Sequence, residues 1–284
     1  MKFFIKSVFA TILVSTSSIV LADEPTACQL IDVQVNSIQL LDDSSNVVTI
    51  PDQNATNCLG AFTGNNSAFD KPVQNLGYDD DGWLNKEDYN NWWEGPGAFV
   101  DEADLIDLDG DGYADDPGWV LVGKEESTGF EGASSTDGIT TYNHEQLVSL
   151  TNCKTAAGLY TSCFGGEAVK GDWVYTPPAQ NPEALTNLIG GDFFDQVAIV
   201  FKAGNTFAMY NFNMVDFGLD PTLAGDYNFA FTGTWDISDT LESGLSNLSF
   251  WARDPIHNVQ VPEPSTLVLL IMSGLFFFSK RRKV

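Results

Sequence analysis

Residues 193–212 read FFDQVAIVFKAGNTFAMYNF, and this stretch decides the fold class. From Phe193 to Phe201 the chain is a near-continuous run of aromatic and β-branched residues; Gly204-Asn205 interrupts it, and Phe207 to Phe212 resume it. Such side chains fit a pleated surface. Two runs parted by a short Gly-containing break predict a hairpin with its turn at residues 203–205. Outward from this hairpin, residues 227–232 (YNFAFT) and 31–36 (IDVQVN) alternate apolar and polar with period two, as does the latter half of 245–250. A further short run lies at 47–50. With Gly, Asn and Pro between the runs, the chain reads as mainly β, an antiparallel β-sandwich-like body. Short helical stretches are expected at 86–93 and 143–150, neither long enough to define an α/β fold.

Between residues 77 and 118 the alternation stops and acidic residues crowd in, which marks an insertion between strands of one domain. A separate domain is the weaker alternative, since forty residues without cysteine make a poor independent core. Within the insertion, Asp107, Asp109 and Asp111 fall at positions 1, 3 and 5 of an EF-hand-type loop, with Gly112 at 6 and Asp115 at 9. A hard cation such as Ca²⁺ takes about six to eight oxygens, so the loop must wrap, and a glycine at 6 permits the turn. The Tyr113 carbonyl would supply position 7. Position 12 is Gly118 instead of the usual glutamate, which hands that role to Asp116 or to an acid from elsewhere. A degraded second loop upstream would use Asp79, Asp81, Asn85 and Asp88, and the two could complete one another. Without an ion, so many carboxylates repel and should leave the insertion loose.

The full chain has 284 residues, 39 acidic and 13 basic, for a net charge of −26. The basic residues gather at the ends. Without residues 1–22 and 262–284 the body keeps seven basic and 38 acidic side chains, about −31 over 239 residues. That excludes nucleic acid, whose phosphates need a positive footprint, and argues against docking of the body on anionic lipid. At 43% hydrophobic, with all seven Trp in the body, the chain can nevertheless bury a core.

The N-terminus places Lys2 and Lys6 before an apolar run from Val8 to Leu21, then Ala22 before Asp23. This is the pattern of a secretory signal peptide (1–22) cut after Ala22. Export makes Cys28, Cys58, Cys153 and Cys163 two disulfides. Three pairings are open, and the nearest-neighbour set, Cys28–Cys58 with Cys153–Cys163, is the simplest. No CxxC pair is present, and His144 and His257 lack ligand spacing, so a zinc site is not expected.

Residues 261–284 read VPEPSTLVLLIMSGLFFFSKRRKV. Pro262-Glu263-Pro264, an apolar stretch at 266–278 and the basic Lys280, Arg281, Arg282 and Lys283 closely resemble the PEP-CTERM sorting signal of exported bacterial proteins. The stretch spans about 20 Å as a helix, short of a hydrocarbon core of about 30 Å unless flanking residues snorkel. The basic tail places that end in the cytoplasm with the body outside. The resemblance implies recognition by a membrane exosortase, a membrane contact only through the C-terminal helix before processing, loss of the tail, and delivery to the cell surface or extracellular matrix. It also implies company with exopolysaccharide and biofilm. A fainter likeness, at Gly118-Trp119 to Gly123-Lys124, residues 201–205, Gly233-Thr234-Trp235 and residues 245–249, resembles a domain type found ahead of such tails and implies no activity.

Three function classes follow. The leading one is a non-enzymatic exported surface or matrix protein that binds or bridges extracellular polysaccharide, with exposed Trp83, Trp92 and Trp93 as sugar-stacking candidates. The second is a secreted polysaccharide-active hydrolase, against which stand the lack of a Gly-x-Ser-x-Gly elbow and of His-Glu-x-x-His. His144 reads as a surface residue rather than a base. The third is an acidic structural coat without a ligand.

Overall fold

A computed structural model describes residues 27–41, 47–66, 72–190, 194–218, 227–241 and 243–253. The expected signal peptide with Ala22, the sorting tail with its Pro-Glu-Pro and basic residues, and His257 lie outside these residues. The chain runs β1 Val33–Leu40, β2 Val47–Asn54, β3 Asn57–Thr63, β4 Trp119–Glu126, β5 Gly129–Gly132, β6 Ser134–Thr136 and β7 Thr141–Asn143. It continues through β8 Val148–Lys154, β9 Lys170–Tyr175, helix α1 Glu183–Ile189, β10 Gln196–Ala203, β11 Thr206–Asn213, β12 Phe229–Asp236 and β13 Leu245–Arg253. One sheet has the order β2-β1-β12-β9-β8 and the other β3-β11-β10-β13-β4-β5, with β6-β7 a separate hairpin. Every strand pairing is antiparallel.

The hairpin that sets the class is β10-β11, in register from Gln196↔Asn213 to Ala203↔Thr206. Gly204 takes φ +55 at the first central position of its two-residue turn. Positive φ there and not at Asn205 is the pattern of a type II′ turn, whose twist matches the strands it joins.

The two sheets share one core. Val35, Trp173, Tyr175, Phe231 and Trp235 of the first meet Val197, Ile199, Phe201, Tyr210 and Phe212 of the second. The second sheet is also covered on its other face. Ala198, Val200, Phe207, Met209, Trp119 and Trp251 pack there against Trp83, Leu84, Trp93, Ala98 and Val100 of the 77–118 insertion. Every residue of β10 is therefore buried, and a strand buried on both faces loses its alternation. Strand β12 lies in the sheet without such a cover and keeps a strict in-out pattern.

Two buried asparagines, Asn85 in the insertion and Asn75 just before it, dock this segment on β4. Strand β5 pairs with β4 only along Gly123–Glu126, which leaves backbone groups of Trp119 and Leu121 beyond its end. The Asn85 Oδ1 accepts from the Trp119 N–H and its Nδ2 donates to the Trp119 carbonyl, both at 2.8 Å. Asn75 does the same for Leu121, both bonds at 2.7 Å. Arg253, buried at the end of β13, donates to the carbonyls of Pro117 and Asp104 and to Gln196 Oε1. Side chains here complete a ladder that the backbone leaves open.

Both expected helices are corrected. Residues 86–93 hold no α-helix but the 3₁₀ turn Tyr89–Asn91, preceded by another at Trp83–Asn85. Asp88 and Asn91 sit at φ +44 and +58, left-handed positions that stop an α-helix. Residues 143–150 end β7 and begin β8, with Val148 paired to Tyr175. The α-helix among the described residues, Glu183–Ile189, follows Pro182 and stops at Gly190, φ +81. That Pro-before, Gly-after punctuation is a helix signal.

Cys28 is bonded to Cys58 and Cys153 to Cys163. The first ties the entry to β1 to β3, and so joins the two sheets. The second closes a surface loop beyond β8, where Lys154 Nζ lies 5.1 Å from the Tyr160 ring centroid.

Candidate functional site

In the acidic loop, Asp107, Asp109 and Asp111 converge, each offering a carboxylate oxygen within 4.8 Å of the others. The loop is wrapped by its own side chains. Asp107 accepts from the N–H groups of Gly110 and Gly112, Asp109 from Asp111, and Asp111 from Tyr113. Tyr113 itself is 71% exposed. Asp116 turns inward instead. It is buried and accepts from Leu108, Asp109 and Asp79 N–H groups, while its backbone bridges to Ile106. Burial holds the Asp116 carboxyl above its usual range despite those bonds. Asp115 stays exposed, and desolvation together with Asp111, Asp79 and Asp109 holds its carboxyl up as well.

The upstream set does not converge. Asp81 is buried and accepts from the Gln74 and Leu76 N–H groups, a turn-holding role in which burial raises its pKa. Asn85 is fully buried, with its amide spent on Trp119 and Asp81 backbone. Asp79 and Asp88 remain on the surface. The two acidic segments do touch, through the Asp79 N–H on Asp116 at 3.1 Å and the Gly118 N–H on the Gly77 carbonyl at 2.9 Å.

A second feature lies on the same covered face: a groove of about 250 Å³ between the insertion and the sheet. From the sheet it is lined by Ser249 and Trp251 of β13 and Leu121, Gly123 and Lys124 of β4; from the insertion by Trp83, Tyr89 and Trp92, with Pro72 and Val73 from the segment just before it. Residues 131–134 and Asn65 and Asn66 complete it. The register between β4 and β13 slips at Phe250/Trp251, a bulge of the kind that re-aims side chains. Gly123 is required there, because a Cβ would lie 2.4 Å from the Phe130 ring.

The three tryptophans singled out in the sequence divide. Trp83 and Trp93 are buried, each 6% exposed, contrary to expectation. Trp93 donates to the Lys86 carbonyl, and Trp83 packs edge-on against Trp251 at 6.2 Å between ring centroids. Trp92 is half-buried, 5.0 Å from the Tyr89 ring and 5.6 Å from Phe62. Trp92 and Tyr89 give the groove its accessible aromatic surface.

Residues 260–283 match the family model described as the PEP-CTERM protein-sorting motif. The chain carries a PEP-CTERM sorting motif. The motif implies export, a C-terminal membrane anchor before processing, and an exosortase as processing partner. No helix among the described residues is long and apolar enough to cross a membrane. Comparison of the chain with curated proteins and with solved structures finds no match.

His144 is buried rather than on the surface, and burial pushes its imidazole down to about 4. Its Nε2 lies 2.8 Å from Ser135 Oγ, and that hydroxyl also bonds the Asn75 carbonyl at 2.7 Å. Ser135 has one proton, and donating it to Asn75 leaves the ring to donate to Ser135 Oγ. The pair is then a brace between the β6-β7 hairpin and the base of the insertion. Sequence reasoning missed Asn66, Ser249 and Trp251 in the body, because nothing short of the fold brings them together.

Proposed function

We propose that this protein acts outside the cell as a non-enzymatic surface or matrix component that binds extracellular polysaccharide in the groove beside Trp92. The observation that carries the proposal is the groove itself: aromatic surface from Tyr89 and Trp92 beside polar side chains, on a body whose sorting motif implies export. Aromatic faces suit the C–H faces of sugars, and a cleft lined mainly by apolar and aromatic groups with a few polar ones is the usual form of a ligand site. Exopolysaccharide and biofilm are the setting that the sorting signal suggests.

The loop of Asp107, Asp109 and Asp111 fits a calcium ion, because its three carboxylates converge and Gly112 makes the turn. The Tyr113 carbonyl and Asp115 would complete the shell, with Asp116 bracing the loop from within. Calcium would neutralise charge there and tie the insertion that forms one wall of the groove. Retention of the full chain, in mild detergent, on exopolysaccharide from the producing strain tests both parts. Calcium-dependent retention, lost in chelator and in Asp109→Asn with Asp111→Asn, is the expected result. No retention in either buffer would reject polymer binding and leave an acidic coat.

A further inference from the structure

Three residues that line the groove each carry a buried polar atom with no hydrogen-bond partner among the described residues: Asn66 Oδ1, Ser249 Oγ and Trp251 Nε1. Their residues are only 5%, 6% and 1% exposed. Leaving such a group buried and unpaired is costly, so three around one cavity call for a partner beyond the described residues. We infer that this end of the groove is a subsite for one neutral, hydroxyl-bearing sugar ring, held by the Trp251 N–H, the Ser249 hydroxyl and the Asn66 carbonyl oxygen. The inference rests on the polysaccharide reading above and names the class of sugar.

The chemistry of the three atoms selects the ligand. An indole N–H only donates, an amide oxygen only accepts, and a serine hydroxyl does both. A carboxylate or sulfate offers acceptors alone and would leave Asn66 Oδ1 facing negative charge. An ammonium offers donors alone and would leave the indole N–H unpaired. Adjacent sugar hydroxyls each donate and accept, so they satisfy all three atoms.

Charge points the same way. A body with 38 acidic and seven basic side chains carries a net negative charge that repels polyanions. Lys124, the cation in the groove, is paired with Glu126 at 2.9 Å. At about 250 Å³ the cavity falls below the range of about 300–1,000 Å³ common for drug-sized ligands. It therefore takes a ring rather than a buried length of chain.

Calorimetric titration of the full chain tests this, with neutral gluco-, manno-, galacto- and N-acetylglucosamine pentasaccharides against oligogalacturonate and oligoglucosamine. At least one neutral sugar should bind, more tightly than either charged one. Ser249→Ala and Trp251→Phe, which each remove one hydrogen-bonding group, should weaken it by about fivefold or more. Ser249→Ala should also melt at the same temperature or higher, since it deletes an unpaired buried hydroxyl; a merely structural serine would lower it. Tighter binding of a charged oligosaccharide, or neutral binding unchanged in both variants, would overturn the subsite. If polymer is retained but both variants retain it equally, the subsite fails and polysaccharide binding stands. If no polymer is retained at all, both fail.

Discussion

Asn85 shows how much of this fold rests on single side chains. Its amide imitates a strand, taking both the N–H and the carbonyl of Trp119 where β5 has run out. Asn85→Ala would leave both groups buried and unpaired, at a cost of about 2–4 kcal/mol; urea unfolding of the variant measures it, and a cost near zero would mean that the insertion docks by apolar contact alone. His144 makes a pH-dependent contribution. Its folded pKa of about 4 lies below its ordinary value of 6.5, so the unfolded ring holds the proton more tightly. Stability is complete above about 6.5 and falls as pH drops toward 4, by up to about 3 kcal/mol. Unfolding free energies from pH 7 to pH 4 should show that slope in the wild type and lose that part of it in His144→Gln. Parallel slopes would contradict it. The burial of His144 was not legible in the sequence, because a lone histidine between polar neighbours carries no periodicity. It is buried by Ser135 and the Tyr142 ring, whose placement depends on the β6-β7 hairpin.

Among the elements, the hairpin of β10 and β11 was the most legible, since an apolar run broken by Gly204-Asn205 has few other readings. Its missing alternation carried more information than its β propensity, because it reports a second covered face. The cover itself was harder to see. Residues 86–93 have the composition of a short helix, yet Asp88 and Asn91 adopt left-handed conformations and the segment turns over the sheet instead. The disulfides act at different ranges, with sequence separations of 30 for Cys28–Cys58 and 10 for Cys153–Cys163. Loop-closure entropy predicts losses of about 4 and about 3 kcal/mol when each pair is replaced by serine. Thermal unfolding of the two double variants should rank them in that order. The reverse order would show that the local loop, rather than the join between sheets, governs stability.

At the scale of the whole molecule, two covered faces on one sheet explain how an acidic chain of 284 residues sustains a large aromatic core. Acidic side chains collect in the insertion, and the apolar underside of that insertion makes one wall of the groove. The sorting tail was legible at once, because its three parts are contiguous. The groove was not: its residues come from 65–66, 72–92, 121–134 and 249–251, and only the docking of the insertion brings them together. The most direct measurement is retention of the full chain and of Trp92→Ala on the strain's exopolysaccharide, with the melting temperature of each recorded alongside. The groove account predicts that the wild type is retained and that a folded Trp92→Ala is not. Equal retention of the two, or retention of neither, would contradict it.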